Sequence, residues 1–176
     1  MKELILYIAR KSEEDERFGA VKLNKILFFS DFLSYAETGK AITGQAYQKL
    51  DFGPAPNQLL PLRDAMVAAG HLAIQERKHF GYPQQRPIAL REPDLTTFTG
   101  AEIELVNFVM EKLAGLSATE VSELSHRFSG WQLAETKEEI PYSVALLATP
   151  EPESLTEAEL KRAHVLAKKA EQLAAA

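Results

Sequence analysis

The chain has 176 residues, 45% of them apolar and 26% charged, with a net charge of −5 and no cysteine. A chain of this length forms one soluble domain with room for a short appendage and buries roughly 70% of the surface its unfolded form exposes, so it needs neither disulfide nor metal to fold. The lack of cysteine excludes a disulfide framework, a thiolate metal centre and a cysteine nucleophile, and the reducing cytoplasm is the expected compartment.

The apolar run at 4–9 is too short for a signal h-region or a membrane span, and no stretch of about 18 apolar residues occurs, so no membrane partner is expected. Charge is unevenly placed. Residues 1–98 hold 13 basic against 12 acidic side chains, whereas 99–140 hold 3 against 8, which predicts an acidic face on the helices of the middle segment. A sequence pI near 5.5 argues against a general phosphate-backbone binder.

In chain order, Leu4, Ile5 and Ile8 predict a short amphipathic helix over 2–12. Segment 21–36 places Leu23, Ile26, Leu27, Phe28, Phe29, Phe32 and Leu33 around nearly its whole circumference, the pattern of a central helix. Gly39 is its expected left-handed C-cap, with Lys40 suited to the negative end of the dipole. One short strand is expected in 41–52, followed by a rigid Gly53-Pro54-Ala55-Pro56 turn. Asn57 is placed to cap a helix running to Ala69, with Gly70 as its stop.

Leu72 and Ile74, then Ile88 and Leu90, alternate as two strands around a loop at 79–87. Thr99 with Glu102, Ser117 with Glu120, and Ser154 with Glu157 have capping-box form and predict three helix starts. The first carries the stripe Ile103, Val106, Met110, Leu113; the second carries Val121, Leu124, Phe128, Trp131. The third follows a proline-containing linker. The expected fold is therefore α+β, mainly helical with a small antiparallel hairpin or three-stranded sheet and a winged-helix-like flap. Residues 1–148 are read as one domain with its core at 20–134, 149–153 as a linker, and 154–176 as a C-terminal helix whose alanine-rich end frays.

Motifs for chemistry are sparse. His71, His79, His126 and His164 have no metal-ligand spacing, and there is no glycine-rich phosphate loop, so neither a metal nor a cofactor is expected. Ser122, Ser125 and His126 are the nearest thing to a nucleophile beside a base, but they lack a nucleophile elbow, and His126 projects from about the side opposite the apolar stripe, so it reads as a solvated residue or as part of a surface for something else. The carboxylate runs at 13–16 and 138–139 lie among charges and read as solvated turns.

Segment 77–91 stands out. Arg77, Lys78, Arg86 and Arg91 interleave with His79, Phe80 and Tyr82, with no acidic residue among them. Such a flap can stack on bases and meet phosphates. The helix that would read the major groove, however, offers only Asn57 and Gln58 toward base edges and pairs Arg63 with Asp64. An acidic protein, or an acidic face of the same chain, suits the flap better than DNA.

The ordered series Lys22-Leu23-Asn24-Lys25-Ile26-Leu27-Phe28-Phe29, Thr38-Gly39-Lys40, Leu50-Asp51-Phe52-Gly53-Pro54, and Leu124-Ser125-His126 with Trp131 resembles the SocA-like Panacea antitoxin domain. The resemblance implies an interaction protein rather than an enzyme: an antitoxin that binds and neutralises a cognate protein toxin in a chaperone- or adaptor-like manner, one branch of the family delivering its toxin to a protease. The family pattern falls on Lys22, Leu23, Lys25, Leu27, Gly53, Pro54, His126 and Trp131, with Gly39 in the TGK turn. Leu23, Leu27 and Trp131 suit a core, while Lys25 and His126, together with Arg77, Lys78, Phe80, Tyr82 and Arg86 of the flap, are the candidate partner contacts. Phe28-Phe29 replaces the more usual tyrosines, Pro56 stiffens the GP turn, and the helix after Ser154 lies outside the resemblance. The alternative is a winged-helix DNA-binding regulator that uses the 77–91 flap.

Overall fold

The computed structural model describes residues 1–79 and 81–147; Phe80, the expected 149–153 linker and the helix expected from Ser154 lie outside the described residues. Helix α1, Lys2–Lys11, buries every residue from Leu4 to Ala9, so only its ends meet water. Helix α2, Ala20–Thr38, is central as its all-round apolar pattern predicts, and it ends at Gly39 with φ 73°, the left-handed conformation that glycine adopts without a Cβ penalty.

Two-residue strands β1, Tyr47–Gln48, and β2, Ala55–Pro56, follow, then helix α3, Leu59–Ala68. Asn57 does not cap α3. Its backbone N–H bonds to Ala46 O at 2.9 Å, continuing the β1–β2 pairing, and Gln58 takes the cap position without a side-chain bond. Strands β3, Leu72–His79, and β4, Tyr82–Ala89, form an antiparallel hairpin with Leu72 opposite Ala89 and His79 opposite Tyr82. The loop expected at 79–87 is thus mostly strand. In a two-stranded sheet, Pro83 and Pro87 can face outward where no ladder donor is needed.

Helix α4, Gly100–Leu113, and helix α5, Ala118–His126, both start with complete capping boxes, Thr99 with Glu102 and Ser117 with Glu120. The helix expected to continue to Trp131 breaks at Phe128, whose φ −69° and ψ 124° are extended, and α6, Ser129–Leu133, begins anew. Strand β5, Glu139–Ile140, and a 3₁₀ turn, Tyr142–Leu146, complete the described residues. Strand β1 is central in the antiparallel sheet β2-β1-β5.

On α5 Val121, Ser122 and Ser125 are buried whereas Leu124 is exposed, so the predicted stripe fails at Leu124, while Phe128 and Trp131 beyond the break pack against the second cluster. Two clusters result. Leu4, Ile5, Ile8, Leu23, Leu27, Val106 and Val121 join α1, α2, α4 and α5, while Phe28, Phe32, Tyr47 and Ile140 join α2 to the small sheet. Phe128 packs edge-on to Phe28 and Phe32, with centroids 5.2 and 5.1 Å away, so the residue at the helix break also fills the second cluster.

Candidate functional site

The family-like motifs lie far apart in the chain and meet around one loop, residues 50–54. From α2, Lys25 reaches inward with only 1% of its surface exposed and donates from Nζ to Pro54 O at 3.0 Å. Burial without a carboxylate beside it lowers the amine to about 7. Gly53 has φ 97°, and a Cβ there would lie 2.6 Å from Lys25 Nζ and closer still to Ser125 Oγ. Glycine is required twice over, by backbone conformation and by the close approach of side chains from two helices. Its N–H bonds to Leu50 O at 2.9 Å, closing the loop on itself.

The loop's other side is held by the α5–α6 corner. Trp131 Nε1 donates to Leu50 O at 3.0 Å. His126 stacks on Trp131 with centroids 4.0 Å apart and planes 16° from parallel, and its buried Nε2 has no hydrogen-bond partner among the described residues. The sequence places His126 opposite the apolar stripe, as a solvated residue or part of a surface for something else. The break at Phe128 instead brings Trp131 back over the ring. Burial, then the neighbouring Lys25 charge, lower the His126 pKa, while the Asp51 backbone facing the ring opposes the shift. Lys49 covers the other elements of this corner, with Nζ 4.4 Å from the Trp131 ring centroid and donating to Ala134 O at 2.9 Å.

Ser125 is fully buried and gives its hydroxyl proton to Ser122 O at 2.7 Å, so it is not aimed at His126 as a nucleophile would be. Among the described residues no three His, Asp or Glu side chains converge to hold a metal ion, and no helix is long and apolar enough to cross a membrane.

A second polar centre, which the sequence pattern does not single out, braces the sheet beside this loop. Asp31 on α2 is buried and accepts from Thr43 N at 2.7 Å, the Thr43 hydroxyl, Tyr47 OH at 2.7 Å and Tyr142 OH at 3.4 Å. Burial raises its pKa and the four donors oppose that rise. An acidic residue inside the largely apolar stretch 26–33 of α2 is the one signal by which it could have been found.

The flap residues serve a different part of the fold. Arg86 is 7% exposed and donates to Ser12 O at 2.9 Å, Glu13 O at 2.7 Å and Asp15 O at 2.7 Å, closing the end of α1. Arg77 donates to Gln84 Oε1 and Glu16 O, both at 2.6 Å, and Arg91 makes a two-pronged pair with Glu3, whose carboxyl it holds down to about 2. Three of the four cations that a wing would offer to phosphate thus have protein acceptors already. Lys78 is exposed, and Tyr82, 77% exposed, borders a groove of about 780 Å³ whose other walls include Val21 and Ala118.

The antitoxin SocA-like, Panacea domain family matches residues 23–132, more than half of the chain, and the protein belongs to that family. The match spans α2 to α6 and so contains Lys25, the 50–54 loop, His126 and Trp131. Comparison with curated proteins and with solved structures gives no match.

Proposed function

We propose that this protein is the antitoxin of a toxin–antitoxin pair and neutralises its cognate protein toxin by direct binding in the cytoplasm, in a chaperone- or adaptor-like manner and without a cofactor. Family membership supports this reading, and the observation that carries it to a site is the convergence of Lys25, Gly53, Pro54, His126 and Trp131 on one loop. Five residues from three parts of the chain spend their polar groups and packing on presenting a short surface segment rather than on assembling reacting groups. Lys25, being buried, acts through the loop it holds; His126 lies at the rim, and the hairpin with Lys78 and Tyr82 offers a second contact region. Carboxylates exposed on the 99–140 segment, among them Glu104, Glu111 and Glu123, suit a toxin with a cationic active site, because complementary potentials raise the association rate and select the partner.

The DNA-binding alternative gains nothing from the structure, since Arg77, Arg86 and Arg91 are engaged within the fold. The neutralisation reading is tested with the purified product of the adjacent open reading frame. It predicts a stable complex on size exclusion and loss of that product's inhibitory activity in proportion to the complex formed. A neighbour that stays active when this protein is in excess would overturn it.

A further inference from the structure

The grip on the 50–54 loop is a grip on its backbone. Trp131 and the Gly53 N–H hold the Leu50 carbonyl, Lys25 holds the Pro54 carbonyl, and the His126 ring faces the Asp51 backbone. Gly53 and Pro54 are buried, yet the two side chains between these anchor points, Asp51 and Phe52, are exposed, Phe52 to 75%. A large apolar side chain is thereby held in water on a backbone fixed from α2, α5 and α6. Beyond the corner, Leu133 on α6 is 74% exposed. Such an arrangement gives the folded chain no burial energy from Phe52, but it removes most of the ordering cost of placing that ring in a partner.

We infer that Phe52 is the anchor of the toxin-binding surface, entering an apolar pocket on the toxin that is bordered by basic side chains. The basic border is called for by the charge beside the anchor: the exposed Asp51 carboxylate adjoins Phe52, while of the two nearby cations Lys25 is buried and Lys49 is turned onto the Trp131 ring and Ala134 O. Lys25, His126 and Trp131 are then positioning residues. The inference rests on the antitoxin reading and adds to it the contact residue and the chemistry of the surface it meets.

The test is a titration of the purified product of the adjacent reading frame with the wild type, Phe52→Ala, Asp51→Lys and Tyr82→Ala, with thermal unfolding of each as the folding control. Phe52→Ala is expected to unfold with the wild type and to bind roughly 30-fold or more weakly, the scale of an interface hot spot. Asp51→Lys is expected to bind more weakly at low salt and to approach the wild type at high salt. Tyr82→Ala, in the second contact region, is expected to weaken binding as well but by less than Phe52→Ala, since a few interface positions carry most of the binding energy. If the wild type binds and Phe52→Ala binds equally well, the anchor assignment is overturned while the antitoxin reading stands. If only Tyr82→Ala loses affinity, the hairpin replaces the loop as the contact. A wild type that does not bind the neighbour overturns both the antitoxin reading and the inference built on it.

Discussion

Replacing Lys25 by methionine keeps the length and most of the volume of the side chain but removes its amine. Burial holds that amine at about 7, against 10.5 when it is exposed. Between those values the unfolded chain carries a proton that the folded chain does not, so this group makes stability rise with pH from about 7 toward 10.5. Linkage puts the rise between pH 7 and pH 9 at about 2 kcal/mol from Lys25 alone. The whole cost of burying the amine, at about 1.36 kcal/mol for each pKa unit, comes to roughly 5 kcal/mol. Methionine relieves that cost but leaves the Pro54 carbonyl without its donor, at about 1–3 kcal/mol. The first quantity is the larger. Lys25→Met should therefore be the more stable protein at pH 7, with the difference shrinking by about 2 kcal/mol at pH 9. Urea unfolding at the two pH values measures this, and the single tryptophan, Trp131, reports directly because it stacks at the same site. Equal pH slopes in the two proteins, or a variant less stable at pH 7, would refute the description of Lys25 as a buried amine without a counter-charge.

Three further outcomes follow from the same geometry. Gly53→Ala adds a Cβ against Lys25 and Ser125 at a positive φ and should cost about 2–4 kcal/mol, whereas Gly39→Ala, also at positive φ but with open space around it, should cost only about 1 kcal/mol; thermal unfolding of the pair separates crowding from backbone strain. Arg86→Ala takes the guanidinium from three carbonyls at the end of α1, of which Ser12 O and Asp15 O keep a backbone donor and Glu13 O does not; it should lower stability by about 1–3 kcal/mol, and hydrogen exchange should show the loss first at residues 12–18. Trp131→Phe keeps a ring against His126 but removes one of the two donors to the Leu50 carbonyl, the Gly53 N–H remaining, and a loss of about 1 kcal/mol in denaturant unfolding is expected.

What the sequence reveals is whatever local chemistry decides. The Thr99 and Ser117 helix starts are legible because their capping partners lie three residues away, and Gly39 because a left-handed cap favours glycine. The stripe is right at Val121 and at Phe128 and Trp131 but wrong at Leu124, and it misses the break at Phe128, whose ring packs against Phe28 and Phe32, residues about a hundred positions earlier. Lys25 shows the same limit. A lysine in an apolar helix reads as a solvent-seeking side chain, and only the 50–54 loop, arriving from elsewhere in the chain, supplies the carbonyl that keeps it inside. The hairpin is legible at its apolar ends and illegible in its middle, where glutamine, proline and glycine suit a loop as well as a strand at a sheet edge. The candidate site itself could be read as a set of motifs but not as a place, because its members meet only when α2 and the α5–α6 corner close on the loop from opposite sides.

Growth of cells expressing the adjacent open reading frame, alone and together with this protein, tests the neutralising role most directly. The account predicts arrest in the first case and near-normal growth in the second, with rescue lost in Phe52→Ala at unchanged protein level. Arrest that persists beside abundant, folded wild-type protein would contradict it.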